Sequence, residues 1–335
     1  FRDPTAPGAP VVHTPRPPRI TNLDTIRPPA YHHLDLSRYT GFGVITSRGC
    51  PYPCTFCSVA PVWDHQSFHR SPASVVREMR TLHEQGGAEI ILFQDEFFVS
   101  GPERVHAFCR ELEQSGLALH WKAFGRINLT TDAMMEAMER TGCVEIRFGV
   151  ESGSDRVLEL TRKGFTAAAT YDVVRRATSI FRRTDLFYVW GFPFETMEDF
   201  YQSVFQMVSF RMLGARILSS LLCLLPQTAI VRDHVRPADL EFAPDLFPEY
   251  MVTGHEVSAG AHVTIRDEHK THFEFVKAHP DIFTGFFHVG LADNVRPKLA
   301  ILQEHGFYPA TAAELATPES CGAHSPRVAA TRLTD

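Results

Sequence analysis

The sequence predicts an α/β fold in which six strand–helix units form an open, partial (β/α)6 barrel with a C-terminal capping segment. From residue 40 onward, short runs rich in β-branched and aromatic residues alternate with longer helical segments, an order typical of a parallel sheet with crossover helices. Six such units can be counted, which is too few to close an eight-stranded barrel. A doubly wound sheet is the second candidate for the fold.

Each unit has a recognisable strand, and five of the six have a recognisable helix. The predicted strands are short apolar runs at residues 42–47, 89–93, 119–124, 144–150, 186–190 and 216–224. The predicted helices, several of which open with Pro, Ser, Thr or Asp, span residues 72–84, 102–115, 131–141, 167–182 and 196–213. In a barrel of parallel strands the chemistry collects at the C-terminal ends of the strands, so the loops that follow them are the candidate site.

Composition divides the chain into four stretches. Residues 1–39 are rich in proline, which discourages helix and central strand, and predict an extended arm or linker. Residues 40–230 carry the barrel pattern. Residues 231–309, rich in His, Phe and Pro, predict a region that caps the substrate side of the barrel, and residues 310–335 predict a flexible tail.

Charge and hydropathy give no indication of a nucleic-acid or membrane partner. The chain has 33 Lys and Arg against 39 Asp and Glu, a formal net charge of −6, so no basic excess favours polyanions. No apolar run approaches the roughly 18–20 residues needed to cross a bilayer, and the first residues lack the order of a signal peptide. We therefore expect a cytoplasmic protein.

Three of the seven cysteines lie within eight residues, directly after the first predicted strand. Cys50, Cys54 and Cys57 have the spacing C-x3-C-x2-C, and thiolates are soft ligands that suit iron–sulfur clusters or zinc. A [4Fe-4S] cube held by three cysteines keeps one iron open for another ligand, whereas structural zinc closes its fourth position with Cys or His. The alternative is therefore a zinc-stabilised, non-enzymatic scaffold in which His65 or His69 completes the site.

The cysteine run, with Phe56 immediately before Cys57, resembles the CxxxCxφC hallmark of the radical S-adenosylmethionine (SAM) superfamily, in which φ is aromatic. The resemblance is closest to the group that often carries a cobalamin-binding domain. It implies a radical SAM partial barrel, a [4Fe-4S] cluster and SAM as cofactors. It also implies that SAM is cleaved to a 5′-deoxyadenosyl radical that takes hydrogen from a small organic substrate, with flavodoxin or ferredoxin as the reducing partner.

The resemblance also implies SAM-binding residues at the strand ends. Asp95 and Glu96 are candidates for the SAM amino group, with a solvated loop acid as the alternative. Arg126 would face the SAM carboxylate or a substrate anion, with a surface ion pair as the alternative. Glu151 and Ser152, in a segment that resembles the family signature GVESGSD, would bind ribose hydroxyls or the amino group, with a serine helix cap as the alternative.

Two turns depart from the family pattern and two reactions stay open. Phe194 and Gln227 stand where the family has glycine in G-x-P-G-E-T and P-G-T, so we expect the substrate end of the barrel to differ in shape.

If the radical acts alone, it would drive oxidation, epimerisation, elimination or rearrangement, as in specialised biosynthesis. If a cobalamin domain lies upstream, the resemblance implies methyl transfer through methylcobalamin. The given residues contain no DxHxxG cobalamin motif, so cobalamin is a possible cofactor that this chain does not itself encode.

Overall fold

A computed structural model describes residue 15 and residues 17–39, 41–243, 246 and 270–308. In chain order, the strands in this part of the chain are β1 Phe42–Val44, β2 Ser47–Arg48, β3 Phe68–His69, β4 Ile90–Phe93, β5 His120–Gly125, β6 Cys143–Glu151, β7 Arg183–Trp190, β8 Arg216–Leu221, β9 Leu240–Phe242 and β10 Phe287–Val289. The α-helices are α1 Val59–Val62, α2 Pro72–Gly86, α3 Pro102–Ser115, α4 Asp132–Arg140, α5 Asp155–Leu160, α6 Ala167–Ile180, α7 Met197–Met212, α8 Ala229–His234, α9 Lys270–Ala278 and α10 Arg296–Glu304.

Six of these strands form one parallel sheet in the order β1-β4-β5-β6-β7-β8, which is also their order in the chain. A doubly wound sheet reverses its strand order part of the way along, so that alternative is wrong. The two end strands, β1 and β8, do not pair with each other, and the sheet is therefore an open barrel. The predicted partial barrel is confirmed.

Helix α2 illustrates how local sequence sets the boundaries of these units. The Ser71 side chain accepts a hydrogen bond from the Ser74 backbone, and Pro72 occupies the first turn, where a missing N–H costs nothing. The helix ends at Gly87, which adopts φ +64°. Its buried side includes Met79 and Leu82, at the spacing of one helix face.

The helix-facing side of the sheet packs into a large hydrophobic core. At its centre the rings of Phe93, Phe98, Phe108 and Trp121 have centroids between 5.0 and 5.4 Å apart, and all four side chains are buried. Each such ring contributes about 1.5–3 kcal/mol by leaving water, with a further contribution from edge-to-face contacts. This core fixes β4 and β5, whose C-terminal ends carry candidate site residues.

The opposite side of the sheet carries a buried ionic network toward the N-terminal ends of the strands. Arg216 and Arg183 both bond the Asp185 carboxylate, at 2.5–3.0 Å and 2.9–3.4 Å. Although burial opposes ionisation, neighbouring cations hold the pKa of Glu145 below its usual range. One of these cations is Lys122, whose Nζ lies 3.1 Å from Glu145 Oε2. The members of the network are Lys122, Glu145, Arg147, Arg183, Asp185 and Arg216.

The predicted first and sixth strands are too long. Strand β1 ends at Val44 because the N–H groups of Thr46 and Ser47 bond the Asp95 carboxylate instead of a sheet neighbour. Ser47 and the next residue then pair with β3, which frames the cysteine-bearing loop. Strand β8 ends at Leu221, and the sixth helix that the pattern did not reveal is α8.

The described part of the N-terminal arm packs against the barrel. It contains three 3-10 turns, Leu23–Thr25, Tyr31–His33 and Leu36–Arg38, so it is not simply extended. The Tyr31 hydroxyl donates to Glu78 of α2 at 2.6 Å. The predicted tail lies outside the described residues, and the division of the chain into four stretches stays a prediction. No helix in the described ranges is long and apolar enough to span a membrane.

Candidate active site

The cysteine loop, residues 49–58, lies between β2 and α1 at the C-terminal side of the sheet. Gly49 opens it at φ +83°, where an added Cβ would clash with the Gln66 carbonyl oxygen. The Thr55 N–H donates to Thr161 O at 3.1 Å, and the Thr55 carbonyl accepts from Ile230 N at 2.8 Å. The loop is thus held between the end of α5 and the start of α8.

All three thiols are half-buried in this loop. Burial, together with the charges of Cys54 and Cys57, raises the pKa of Cys50 to about 11. Cys57 Sγ accepts a hydrogen bond from Val59 N at 3.4 Å, and Arg126 Nη1 lies 3.7 Å from Cys54 Sγ. The charge of Arg126 acts in the opposite direction and lowers the pKa of Cys50.

The described residues fit a cluster better than zinc. No group of three Cys, His, Asp or Glu side chains in the described ranges could hold a single metal ion. The candidate zinc ligand His69 instead contacts Ser67 Oγ at 2.8 Å and Arg104. A cube takes one thiolate on each of three irons, so its thiolates need not converge on one point. The donor set of three cysteines therefore suits a [4Fe-4S] cluster.

Two buried cations lie beside the loop. The Arg126 guanidinium lies 3.9 Å above the Tyr52 ring and also donates to the Lys163 carbonyl oxygen, so a surface ion pair is the wrong interpretation. Lys163 Nζ is 2.9 Å from Glu151 Oε1 and 5.9 Å from the centre of the Phe56 ring. Lys163 is not among the predicted site residues, because the run Arg162-Lys163-Gly164 is typical of the end of a helix.

Glu151 and Ser152 follow a bulge near the end of β6. Glu151 has φ +69°, a backbone conformation that residues other than glycine rarely adopt. Ser152 is fully buried, and its hydroxyl contacts Ser203 Oγ at 3.0 Å and accepts from Ser154 N at 3.1 Å. The helix cap predicted for this segment is Ser154, which accepts from Val157 N. The SAM contacts of Glu151 and Ser152 stay predictions.

The two acids after β4 bind the start of the cysteine loop. Asp95 is buried, so a solvated loop acid is wrong for it; it accepts from Thr46 N at 2.6 Å and from Ser47 Oγ at 2.7 Å. Glu96 Oε2 accepts from Gly49 N at 3.2 Å. Glu96 is therefore adjacent to the first cysteine, whereas both oxygens of Asp95 already have partners. Their contact with SAM stays a prediction.

Phe56 anchors the loop in a small second hydrophobic core. Its ring centroid is 5.8 Å from that of Phe192, which is fully buried after β7. The same core contains Leu222, Leu224 and Ile230. The aromatic position between the last two cysteines thus has a packing role that requires no ligand.

Comparison with known proteins agrees with this geometry. The Radical SAM superfamily profile matches residues 44–207. An uncharacterized methyltransferase of Pyrococcus horikoshii is 34% identical over 194 residues, which are 56% of this chain and 42% of the relative. A cytidylyl-2-hydroxyethylphosphonate methyltransferase of Streptomyces wedmorensis is 27% identical over 186 residues, 51% of this chain and 35% of the relative. Enzymes named for tRNA modification also match.

Among solved structures, the radical SAM methyltransferase TsrM of Kitasatospora setae, with cobalamin and a [4Fe-4S] cluster bound, has a TM-score of 0.52. The two are 20% identical, and the similarity covers 60% of this chain and 39% of TsrM, so it bears on the fold alone. The matched part of this chain spans less than half the length of each of these proteins. Residues 44–207, just under half of the chain, form a radical SAM domain, and the cofactors of that superfamily are a [4Fe-4S] cluster and SAM.

Proposed function

We propose that this chain is the radical SAM part of a cobalamin-dependent methyltransferase, with the cluster held by Cys50, Cys54 and Cys57. The observation that carries the proposal is the cysteine loop at the C-terminal side of the parallel sheet, with two buried cations beside it. When bound, the cluster and SAM supply a reactive species that this chain's own side chains cannot form. The protein residues bind, orient and shield these groups.

The roles of the individual residues follow from their charges. Arg126 and Lys163 offset the negative charge of the thiolates, and either cation suits the SAM carboxylate. Glu151 and Glu96 are the acids available to the SAM amino group or ribose hydroxyls. Asp95 fixes the loop's entry through Thr46 and Ser47, with Ser152 bracing the end of β6.

Methyl transfer is favoured over hydrogen abstraction alone because the Pyrococcus and Streptomyces relatives and TsrM are all named methyltransferases. TsrM also has cobalamin bound. Under this proposal cobalamin is bound by a further part of the protein, since the residues given have no DxHxxG motif. The second candidate is a radical SAM enzyme without cobalamin, in which the 5′-deoxyadenosyl radical only abstracts hydrogen.

Radical SAM enzymes need an electron donor, and their substrates differ from one relative to another. For this chain we propose a small organic substrate, in specialised biosynthesis, and flavodoxin or ferredoxin as the electron donor in the cytoplasm. The expectation that nucleic acid is not a substrate rests on the net charge of −6 alone and stays a prediction.

Anaerobic reconstitution of the whole protein, including the part proposed to bind cobalamin, tests the proposal. We expect about four irons and four sulfides per chain, and production of 5′-deoxyadenosine from SAM under dithionite, detected by mass spectrometry. S-Adenosylhomocysteine that forms only when cobalamin is added would support methyl transfer. The Cys54→Ala variant should lose the cluster, whereas Cys109→Ala, a buried thiol of α3, should keep it. An intact cluster in the wild type without SAM cleavage would overturn the radical assignment.

A further inference from the structure

Lys298 of α10 is fully buried and has three acceptors. Its ammonium donates to Glu195 Oε2 at 2.7 Å, to Glu195 O at 2.9 Å, and to Asn294 Oδ1. A buried lysine is costly unless every proton finds an acceptor, so these bonds fix its position. We call Glu195, Asn294 and Lys298 the C-terminal clamp.

The clamp holds the turn that follows β7. Glu195 Oε2 also accepts from Gly191 N at 2.8 Å, and Asn294 Nδ2 donates to Phe192 O at 3.1 Å. Gly191 begins the turn with φ +83°. Asn294 bonds the start of the turn and Lys298 bonds its end, so both ends are held by residues 103 positions later in the chain. Helix α10 is therefore joined to the C-terminal end of the barrel through polar bonds as well as packing.

The same turn reaches the cysteine loop. Phe192 is fully buried between Phe194, with which it stacks at 5.6 Å, and Phe56, at 5.8 Å. Phe56 lies between Cys54 and Cys57, so displacement of Phe192 would release the middle of the loop. Aromatic contacts of this kind contribute about 0.5–1.5 kcal/mol each beyond burial.

We propose that Lys298 and Asn294 are positioning residues for the cysteine loop: through the turn and Phe192 they hold Phe56, and thereby the spacing of Cys54 and Cys57. Both lie outside residues 44–207, the part that the superfamily profile covers. This inference rests on the proposed cluster assignment for its catalytic meaning. The structural coupling itself can be measured without any cofactor.

The competing interpretation is that the clamp only stabilises the fold, and two variants separate these roles. Lys298→Met leaves the Glu195 carboxylate buried without its cation, which should lower the melting temperature. In the double variant Lys298→Met/Glu195→Gln no buried charge is left alone, and the amide oxygen still accepts from Gly191 N, so stability should largely recover. The bonds from Lys298 to Glu195 O and Asn294 remain lost in both.

Hydrogen exchange of the cluster-free full chain is the primary measurement. In both variants we expect the amides of residues 49–58 to exchange about ten-fold faster than in the wild type, although only the single variant melts earlier. Lys122→Met is the control, since it removes a lysine from buried Glu145, which keeps Arg147 and Arg183, at the other end of the strands. This control should lose stability without faster exchange in the loop.

Reconstitution provides the second readout. Both clamp variants should bind less iron per chain than the wild type and Lys122→Met at equal protein concentration. If the double variant regains wild-type exchange in residues 49–58, or if neither clamp variant alters it, the positioning role is overturned. If the wild type itself binds no iron, the proposed function fails, while the exchange result still decides the coupling.

Discussion

Substituting glutamine for Glu151 removes one negative charge from the proposed SAM site at almost constant volume. Glu151 is buried, and its carboxylate contacts the Lys163 ammonium at 2.9 Å. Glutamine keeps the side-chain length and an oxygen that can accept from Lys163. The substitution therefore isolates the charge that is predicted to bind the SAM amino group or ribose hydroxyls.

The size of the effect follows from the burial of the group. A hydrogen bond to a charged partner contributes about 1.5–3 kcal/mol, so SAM should bind roughly 10- to 150-fold more weakly. Stability should fall less, by about 1–2 kcal/mol, because Lys163 exchanges a carboxylate for a neutral acceptor. Binding and folding thus respond to different extents.

SAM affinity is measured by titrating SAM into the reconstituted protein and following the EPR spectrum of the reduced cluster. Glu159→Gln, the same substitution at an exposed position of α5, should leave the affinity unchanged. Wild-type affinity in Glu151→Gln with an intact cluster would refute the role assigned to this carboxylate.

Three further predictions concern the frame around the site. Asp185→Asn removes the counter-charge of Arg216 and leaves Arg183 with Glu145 alone; because both guanidinium groups are partly exposed, it should cost about 1.5–3 kcal/mol of stability in urea unfolding, with iron content unchanged, and a loss below about 0.5 kcal/mol would contradict the network's importance. Gly49→Ala should lower iron content several-fold, because alanine meets the Gln66 carbonyl at a left-handed backbone position, and wild-type loading would argue against that strain. Although burial opposes it, hydrogen bonds from Ser154 and Thr196 hold the pKa of Asp199 below its ordinary 3.8. The ionised Asp199 carboxylate therefore stabilises the folded protein fully above pH 3.8, and this stabilisation is lost as the carboxylate is protonated at lower pH. The difference in unfolding free energy between wild type and Asp199→Asn should shrink below about pH 4.

Features with a local cause were predictable from the sequence. The alternation of strand and helix gave the open barrel, and the spacing of Cys50, Cys54 and Cys57 placed the cysteine loop after the first strand. The end of β1 was not predictable, because it depends on Asp95, 49 positions after Thr46. A carboxylate at a strand end looks solvated until the residues that bury it are known.

The cations of the site illustrate the same limit. The only sequence signal at Lys163 is the run Arg162-Lys163-Gly164. Its place in the site depends on the contact with Glu151, which is 12 positions earlier in the chain. Lys298 and Glu195 are 103 positions apart, so neither residue alone indicates a buried pair. Such contacts depend on tertiary packing, which periodicity and motif spacing do not describe.

The gap between β1 and β8 has a consequence for substrate range. A closed cylinder is sealed by its own strands on every side, whereas here the flank between β1 and β8 has to be closed by something other than a strand of the sheet. Whatever polypeptide covers that flank can change from one relative to another and redirect selectivity, while the sulfur-bearing loop and its supports stay as they are.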